Sequence, residues 1–250
     1  MSFTVFPVAG VPLIRPGDDL GALLTGAIVG AQLGPLEDDI VVVCQKIVSK
    51  AEGRVVALPS VTPSPFARQL AALASDKDAR VLEVILSQTK RIVKMDRGHL
   101  IVETGPGWVC ANAGVDESNS LDDETVILLP SDPDASARRL AEGIRSRTER
   151  TVAVIITDTF GRPWREGLVD FALGVAGMEP LLDLRGQRDL GGRELHHTVN
   201  AQADALAAAA GLVMRKGAGI PAAIIRGYEY HRGDGGGTKL LRAREFDLFR

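Results

Sequence analysis

Thr151-Val-Ala-Val-Ile-Ile-Thr-Asp-Thr-Phe-Gly-Arg-Pro-Trp-Arg-Glu-Gly167 is the stretch that decides how the chain folds. From Val152 to Ile156 it is a continuous apolar run, β-branched everywhere except Ala153. That is the pattern of a strand buried on both faces. The run then carries Thr157, Asp158 and Thr159 toward a turn marked by Gly161 and Pro163. A carboxylate at the end of a buried strand is held by a rigid element and can be aimed. With its neighbouring hydroxyls, Asp158 offers the hard oxygens that Mg²⁺ or Mn²⁺ takes when the ion also holds a nucleotide phosphate. Arg162 and Arg165 follow and suit an anionic substrate. Taken alone, the same residues also fit a strand whose Asp158 caps the next turn.

Outward from this stretch lie two further candidates. Asn112-Ala-Gly-Val-Asp-Glu-Ser-Asn119 has small residues, Gly114 among them, that let something approach the backbone closely, and Asp116 and Asn119 supply oxygen ligands. Its plain alternative is a turn with Asx capping. Gln45 to Arg54 follows a second buried strand, Asp39 to Cys44, and places Lys46 and Lys50 where ammonium groups would meet phosphate. Its alternative is an exposed charged hairpin. The tail Gly233-Asp-Gly-Gly-Gly-Thr-Lys239 lacks the order of a phosphate-binding P-loop and reads as a flexible turn. His196 and His197 are adjacent, so on a strand they face opposite ways and form no metal pattern.

The other elements follow from periodicity and punctuation. Strands are expected at Phe3 to Val8, Val55 to Leu58, Arg91 to Met95, His99 to Glu103, Trp108 to Asn112, Glu124 to Leu129 and Ile220 to Arg226. Helices are expected from Asp18 or Asp19, with Leu20, Leu23, Leu24, Ala27 and Ile28 as the apolar face, and at Phe66 to Ala74, Ala79 to Leu86 and Ala201 to Ala210. Ser131-Asp-Pro-Asp134 opens another, with Asp132 as cap before Pro133, running to about Thr148. Strands and helices alternate irregularly, which predicts α+β or mixed α/β architecture: mixed sheets with flanking helices in two interwoven subdomains.

The 250 residues are 45% hydrophobic and 24% charged, ordinary for a globular protein. A net charge of −3 argues against nucleic acid as the main partner. Cys44 and Cys110 lie in apolar runs, as buried thiols of a reducing compartment do. The start of the chain lacks a signal-peptide pattern, and no apolar stretch approaches the ~20 residues of a membrane span, so a cytoplasmic location is expected. The apolar strand Trp108 to Asn112 shows no obvious cover within the chain, which favours a homodimer.

Phe6-Pro-Val-Ala-Gly-Val-Pro-Leu-Ile14, Val48-Ser-Lys-Ala-Glu-Gly-Arg54, the Asn112–Asn119 segment, Leu129-Pro-Ser-Asp-Pro-Asp-Ala-Ser136, Ile155-Ile-Thr-Asp-Thr159 and the run from Gly219, Ile220 and Pro221 to Arg226 and Gly227 occur in this order. Together they resemble the coenzyme F420-0:L-glutamate ligase family over nearly the whole chain. The resemblance implies one ligase domain over residues 1–250. It implies that Asp116 and Asp158 hold one divalent ion, Mg²⁺ or Mn²⁺, with Thr159 at a second and K⁺ as a further cation. It also implies a GTP site lined by Val11, Pro12, Leu13, Ile14, Gln45, Lys46, Lys50 and Asn119 and by the loop from about Leu212 to Gly219, with Met214, Lys216 and Gly217. Asp116, Asp158 and Lys50 would be the catalytic set, L-glutamate and F420-0 the other substrates, an acyl phosphate the intermediate and a homodimer the assembly. The chain departs from the family pattern at Ala205 and Lys216. Competing expectations are an amide ligase or phosphotransferase acting on another acid, and a nucleotide- and metal-binding module without catalysis.

Overall fold

A computed structural model describes residues 2–35, 37–73, 77–96, 99–118 and 124–248. In chain order its elements are β1 (Thr4–Val8), α1 (Leu20–Gly30), β2 (Ile40–Cys44), α2 (Gln45–Ala51), β3 (Val55–Ala57), α3 (Pro65–Leu73), α4 (Ala79–Ser87), β4 (Thr89–Asp96), β5 (His99–Thr104), β6 (Val109–Ala111), β7 (Thr125–Ile127), α5 (Pro133–Thr148), β8 (Ala153–Arg162), β9 (Arg165–Ala176), β10 (Leu182–Asp183), β11 (Val199–Asn200), α6 (Gln202–Gly211) and β12 (Ala222–Arg226). The chain splits into two units, and each is built from separated segments. This is the mixed, interwoven α+β architecture that the sequence predicts.

The first unit comprises Met1–Leu13, Asp19–Ile47 and Asp132–Leu240. Its sheet has the order β1-β12-β2-β8-β9. β2 and β8 run parallel, from Ile40 opposite Ala153 to Cys44 opposite Thr157, and the other pairs are antiparallel. Successive side chains on a strand point to opposite faces. Ile40, Val42, Ala153, Ile155, Ala172, Ala223 and Ile225 accordingly form one buried face with Ala203, Leu206, Ala207 and Ala210 of the alanine-rich α6. On the other face, Gly174 of β9 lies so close to Pro133 of α5 that any Cβ there would collide with its carbonyl. α5 is capped as expected, Asp132 Oδ1 accepting from Ala135 N at 2.8 Å. α1 packs on α5 where Gly21 meets Gly143.

The second unit comprises Ile14–Asp18, Val48–Ser131 and Leu241–Arg250. It holds a β4-β5-β6 sheet, a β3-β7 pair and the helices α3 and α4. Leu58, Leu70, Val81, Leu82, Ile85, Leu100, Val102, Val126 and Leu128 are its core. Among the described residues no helix is long and apolar enough to cross a membrane.

Four expectations need correction. The segment after β2 is a helix, α2, and not a charged hairpin, because Gln45, Ile47, Val48 and Ser49 are buried at helical spacing. β8 does not end at Ile156 but continues to Arg162, because β9 supplies a ladder partner all the way out, and the turn falls at Pro163 and Trp164. Trp108 and Cys110 are buried in the single chain, so the strand taken as uncovered gives no support to a dimer. The glycine tail is pinned rather than flexible. Gly235, Gly236 and Gly237 lie where side chains would run into Pro180, the Asp134 carboxylate and Leu173 O, and Gly237 N donates to Asp134 Oδ1 at 2.7 Å.

Candidate functional site

In an open sheet, ligands bind beyond the carboxyl ends of parallel strands, where neighbouring connections diverge. β2 and β8 are the parallel pair of this sheet, and Cys44 of one lies opposite Thr157 of the other. Gln45 and Lys46 therefore leave the sheet at the same end that carries Asp158. The Cys44 thiol feels the charges of both Lys46 and Asp158. Burial pushes its pKa up, with a smaller push from the Asp158 charge, against the opposing pull of the Ile47 and Lys46 backbone and the Lys46 ammonium. Lys46 and Lys50 are four residues apart on α2, hence on one side of that helix, and both are half-buried.

β8 sends Asp158 and Thr159 to opposite faces, since they are adjacent on a continuous strand. Two separate cation positions suit that geometry better than one shared ion. Thr159 faces Asp170 of β9 across the ladder, and its Oγ1 donates to Asp170 Oδ1 at 2.6 Å. Asp204 of α6 accepts from Ala172 N at 2.9 Å. Burial raises its pKa above the ordinary carboxylate value, with the Ala172 N–H pulling the other way. Neither Asp170 nor Asp204 was singled out as a ligand in the sequence. The signal that finds Asp170 is the hairpin register, readable only once the turn is placed at Pro163 and Trp164.

Elsewhere in the first unit, Val11, Pro12 and Leu13 lie in the segment after β1, and Leu13 is exposed. Met214 packs against the α6 core. Lys216 and Gly217 form a 3₁₀ turn with Ala218, followed by Gly219 in the left-handed region.

In the second unit, Ile14 is buried and Lys50 stands in the last turn of α2. Asp116 is joined to Ile127 by a single antiparallel bridge, with both backbone bonds at 2.9 Å. Its Oδ1 accepts from Ser118 N and Ser118 Oγ, each at 2.7 Å, which is the Asx-type turn of the plainer expectation. Asn112, Ala113 and Gly114 precede it with three successive positive φ angles, 53°, 55° and 68°. What comes close to Gly114 is the chain's own Leu129, whose Cδ1 would lie 2.6 Å from an added Cβ. Asn112 Oδ1 accepts from Lys77 Nζ at 2.8 Å, and burial lowers the Lys77 pKa. Asn119 lies outside the described residues.

Along the middle of β8 and β9, Asp158, Thr159 and Asp170 are half-buried and carry oxygen. Among the described residues no three His, Cys, Asp or Glu side chains gather as a protein cage for a metal. Oxygen donors with few protein carboxylates fit Mg²⁺ or Mn²⁺, which retain waters and substrate phosphates as ligands.

A profile of the F420-0:Gamma-glutamyl ligase family matches residues 10–227. The chain is similar to the coenzyme F420:L-glutamate ligase of Methanothermobacter thermautotrophicus, 46% identical over 253 residues that cover both chains completely. It is 46% identical to the protein of that name from Methanopyrus kandleri over 96% of each chain. It is 41% identical to the one from Archaeoglobus fulgidus, over 100% of this chain and 97% of the other.

Proposed function

The chain belongs to the F420-0:gamma-glutamyl ligase family, and from that premise we propose that it joins L-glutamate to the terminal carboxylate of coenzyme F420-0, with GTP as the energy source. The single observation that carries the chemistry is the shared end of β2 and β8, from which Gln45 and Lys46 continue after one strand and Asp158 along the other. Joining a carboxylate to an amine in water is uphill, because a carboxylate is a poor electrophile. Transfer of the γ-phosphoryl group to that carboxylate gives an acyl phosphate with a good leaving group. The glutamate amine then attacks, and GDP and phosphate are the co-products. Phosphoryl transfer asks a protein mainly for positioning and charge neutralisation. Lys46 and Lys50 neutralise phosphate oxygens, and Gln45 with the Val11–Ile14 segment and the Met214–Gly217 loop contacts the nucleotide. Asp116 and Asp158 would hold a divalent ion and Thr159 a second. When bound, such an ion offsets the triphosphate charge and orients the γ-phosphate. GTP is preferred over ATP, and the working assembly is a homodimer.

A mass-spectrometric assay with F420-0, L-glutamate, GTP and Mn²⁺ tests the proposal. Product gaining one or more glutamate masses with stoichiometric GDP is the expected result. GTP turnover with a different acid acceptor would instead make the chain an amide ligase of another substrate, and nucleotide binding without turnover would make it a binding module. Hydroxylamine should trap the acyl phosphate when F420-0 is present and glutamate is not. Light scattering should show a species of about twice 26.6 kDa.

A further inference from the structure

Asp170, which accepts from Thr159, has no role in the chemistry proposed above. A hydroxyl has one proton to donate and lone pairs to offer. Where its proton goes therefore decides whether it meets a phosphate oxygen as a donor or a cation as a ligand. Here the proton goes to Asp170, at 2.6 Å, within the short range of an O–H bond to a charged carboxylate. Three features hold that arrangement. The β8–β9 register sets Thr159 directly opposite Asp170. On the reverse side of the same hairpin, Phe160 and Phe171 stack with ring centroids 3.6 Å apart, which fixes the register from the other face. Gly211, at the end of α6, leaves the room that the Asp170 carboxylate fills: any Cβ there would collide with Oδ2. Among the described residues no lysine or arginine side chain pairs with Asp170, so its charge is not cancelled by a neighbouring ion pair.

We propose that Asp170 is a positioning residue for Thr159: it accepts the hydroxyl's hydrogen bond, and so turns the free lone pairs of the Thr159 oxygen toward a divalent cation instead of letting the hydroxyl donate to a phosphate. This rests on the reading that a cation binds at this end of β8. Gly211 belongs to the same device, because a side chain at that position would displace the carboxylate.

The test is Mn²⁺ binding, followed by electron paramagnetic resonance in the presence of a non-hydrolysable GTP analogue. It compares wild type, Thr159→Val, Asp170→Ala, Asp170→Asn, Gly211→Ala and the double variant Thr159→Val/Asp170→Ala. Wild type should bind two Mn²⁺ ions. Asp170→Ala and Thr159→Val should each weaken one of them at least tenfold, and the double variant should be no worse than either single one. Asp170→Asn, whose amide oxygen still accepts, should fall between wild type and Asp170→Ala. Gly211→Ala should reproduce the Asp170→Ala loss with a native circular dichroism spectrum, which keeps the test open if Asp170→Ala does not fold. Loss in Thr159→Val with wild-type binding in Asp170→Ala would overturn the proposal alone, and so would additive losses in the double variant. A wild type that binds no Mn²⁺ at all would overturn the cation reading and the proposal with it.

Discussion

Asp158 and Asp116 look alike in the sequence, each closely following an apolar run, yet the fold holds them by opposite means. Asp158 sits inside a ten-residue strand, with Phe171 opposite it on β9 and the preceding Thr157 paired with the last residue of β2. Asp116 hangs on one bridge to Ile127 and closes a turn on its own Ser118, after three residues in left-handed conformation. A residue in a ladder moves only if the sheet moves. A residue in a strained turn is placed by a few local choices, each of which a single substitution can undo. Changes at Asp158 should therefore act on chemistry alone, and changes around Asp116 should act through the backbone as well.

The largest effect is expected at Asp158. Asp158→Asn should lower ligation by more than about a thousandfold, ~4 kcal/mol of barrier, with the thermal midpoint within a few degrees of wild type. Turnover within tenfold of wild type would show that the charge is not needed and remove the stronger arm of the comparison. Asp116→Asn should also lose more than tenfold, with the turn preserved because the amide oxygen can still accept from Ser118. Ser118→Ala keeps the charge and removes the hydroxyl bond, so its loss should be several-fold smaller. Equal losses in the two variants would mean that turn geometry outweighs charge at Asp116.

Next comes the turn itself. Gly114→Ala places a Cβ 2.6 Å from Leu129 Cδ1 at a φ of 68°. It should destabilise the protein by about 2 kcal/mol, read from urea unfolding. Leu129→Ala in that background should cost less than it does alone, since the clash is then gone. A change below about 0.5 kcal/mol in Gly114→Ala would show the turn to be pliable and erase the contrast with β8.

The smallest effect concerns Asp204, beside β9. Its pKa is raised by burial from the ordinary 3.8, so the native state holds the proton more tightly than the unfolded chain does. The charged form therefore weakens the fold above the raised value, and the penalty fades as pH falls toward the ordinary one. Asp204→Asn, which still accepts from Ala172 N, should match or exceed wild type in stability at pH 8, and wild type should close the gap on acidification. Wild type losing ground to the variant as the pH falls from neutrality toward the ordinary carboxylate value would contradict that sign.

Much of the fold was legible because local signals agreed. The apolar runs within Val152 to Ile156 and Asp39 to Cys44 are buried in the structure as parts of β8 (from Ala153) and β2 (from Ile40). Asp132 before Pro133 caps α5 as its residue types require. What local pattern did not reveal was pairing. The parallel contact of β2 with β8, and the entry of β12 between β1 and β2, are choices among distant segments that no window of sequence contains. The same blindness hid Asp170, which needs the β8–β9 register, and misread Gly235 to Gly237, whose missing side chains make room for Pro180, Asp134 and Leu173 rather than for motion. Ser49 and Gln45 are polar by type but buried, so the segment of Lys46 and Lys50 looked like a surface hairpin and is a helix.

The place of β12 also bears on how the protein is made. β2 is complete at Cys44, but the neighbour that covers its open edge opposite β8 is not translated until residue 222. At about 5–20 residues per second on a ribosome, those roughly 180 residues leave an apolar edge without its partner for on the order of ten to thirty seconds. During vectorial synthesis β1 has nothing to pair with either, because β12 is its neighbour in the sheet. The second unit, encoded almost wholly between these strands, can fold while the first is still waiting for its last one. A nascent chain halted before Ala222 should therefore show protease protection over residues 48–131 and none over β1 or β2.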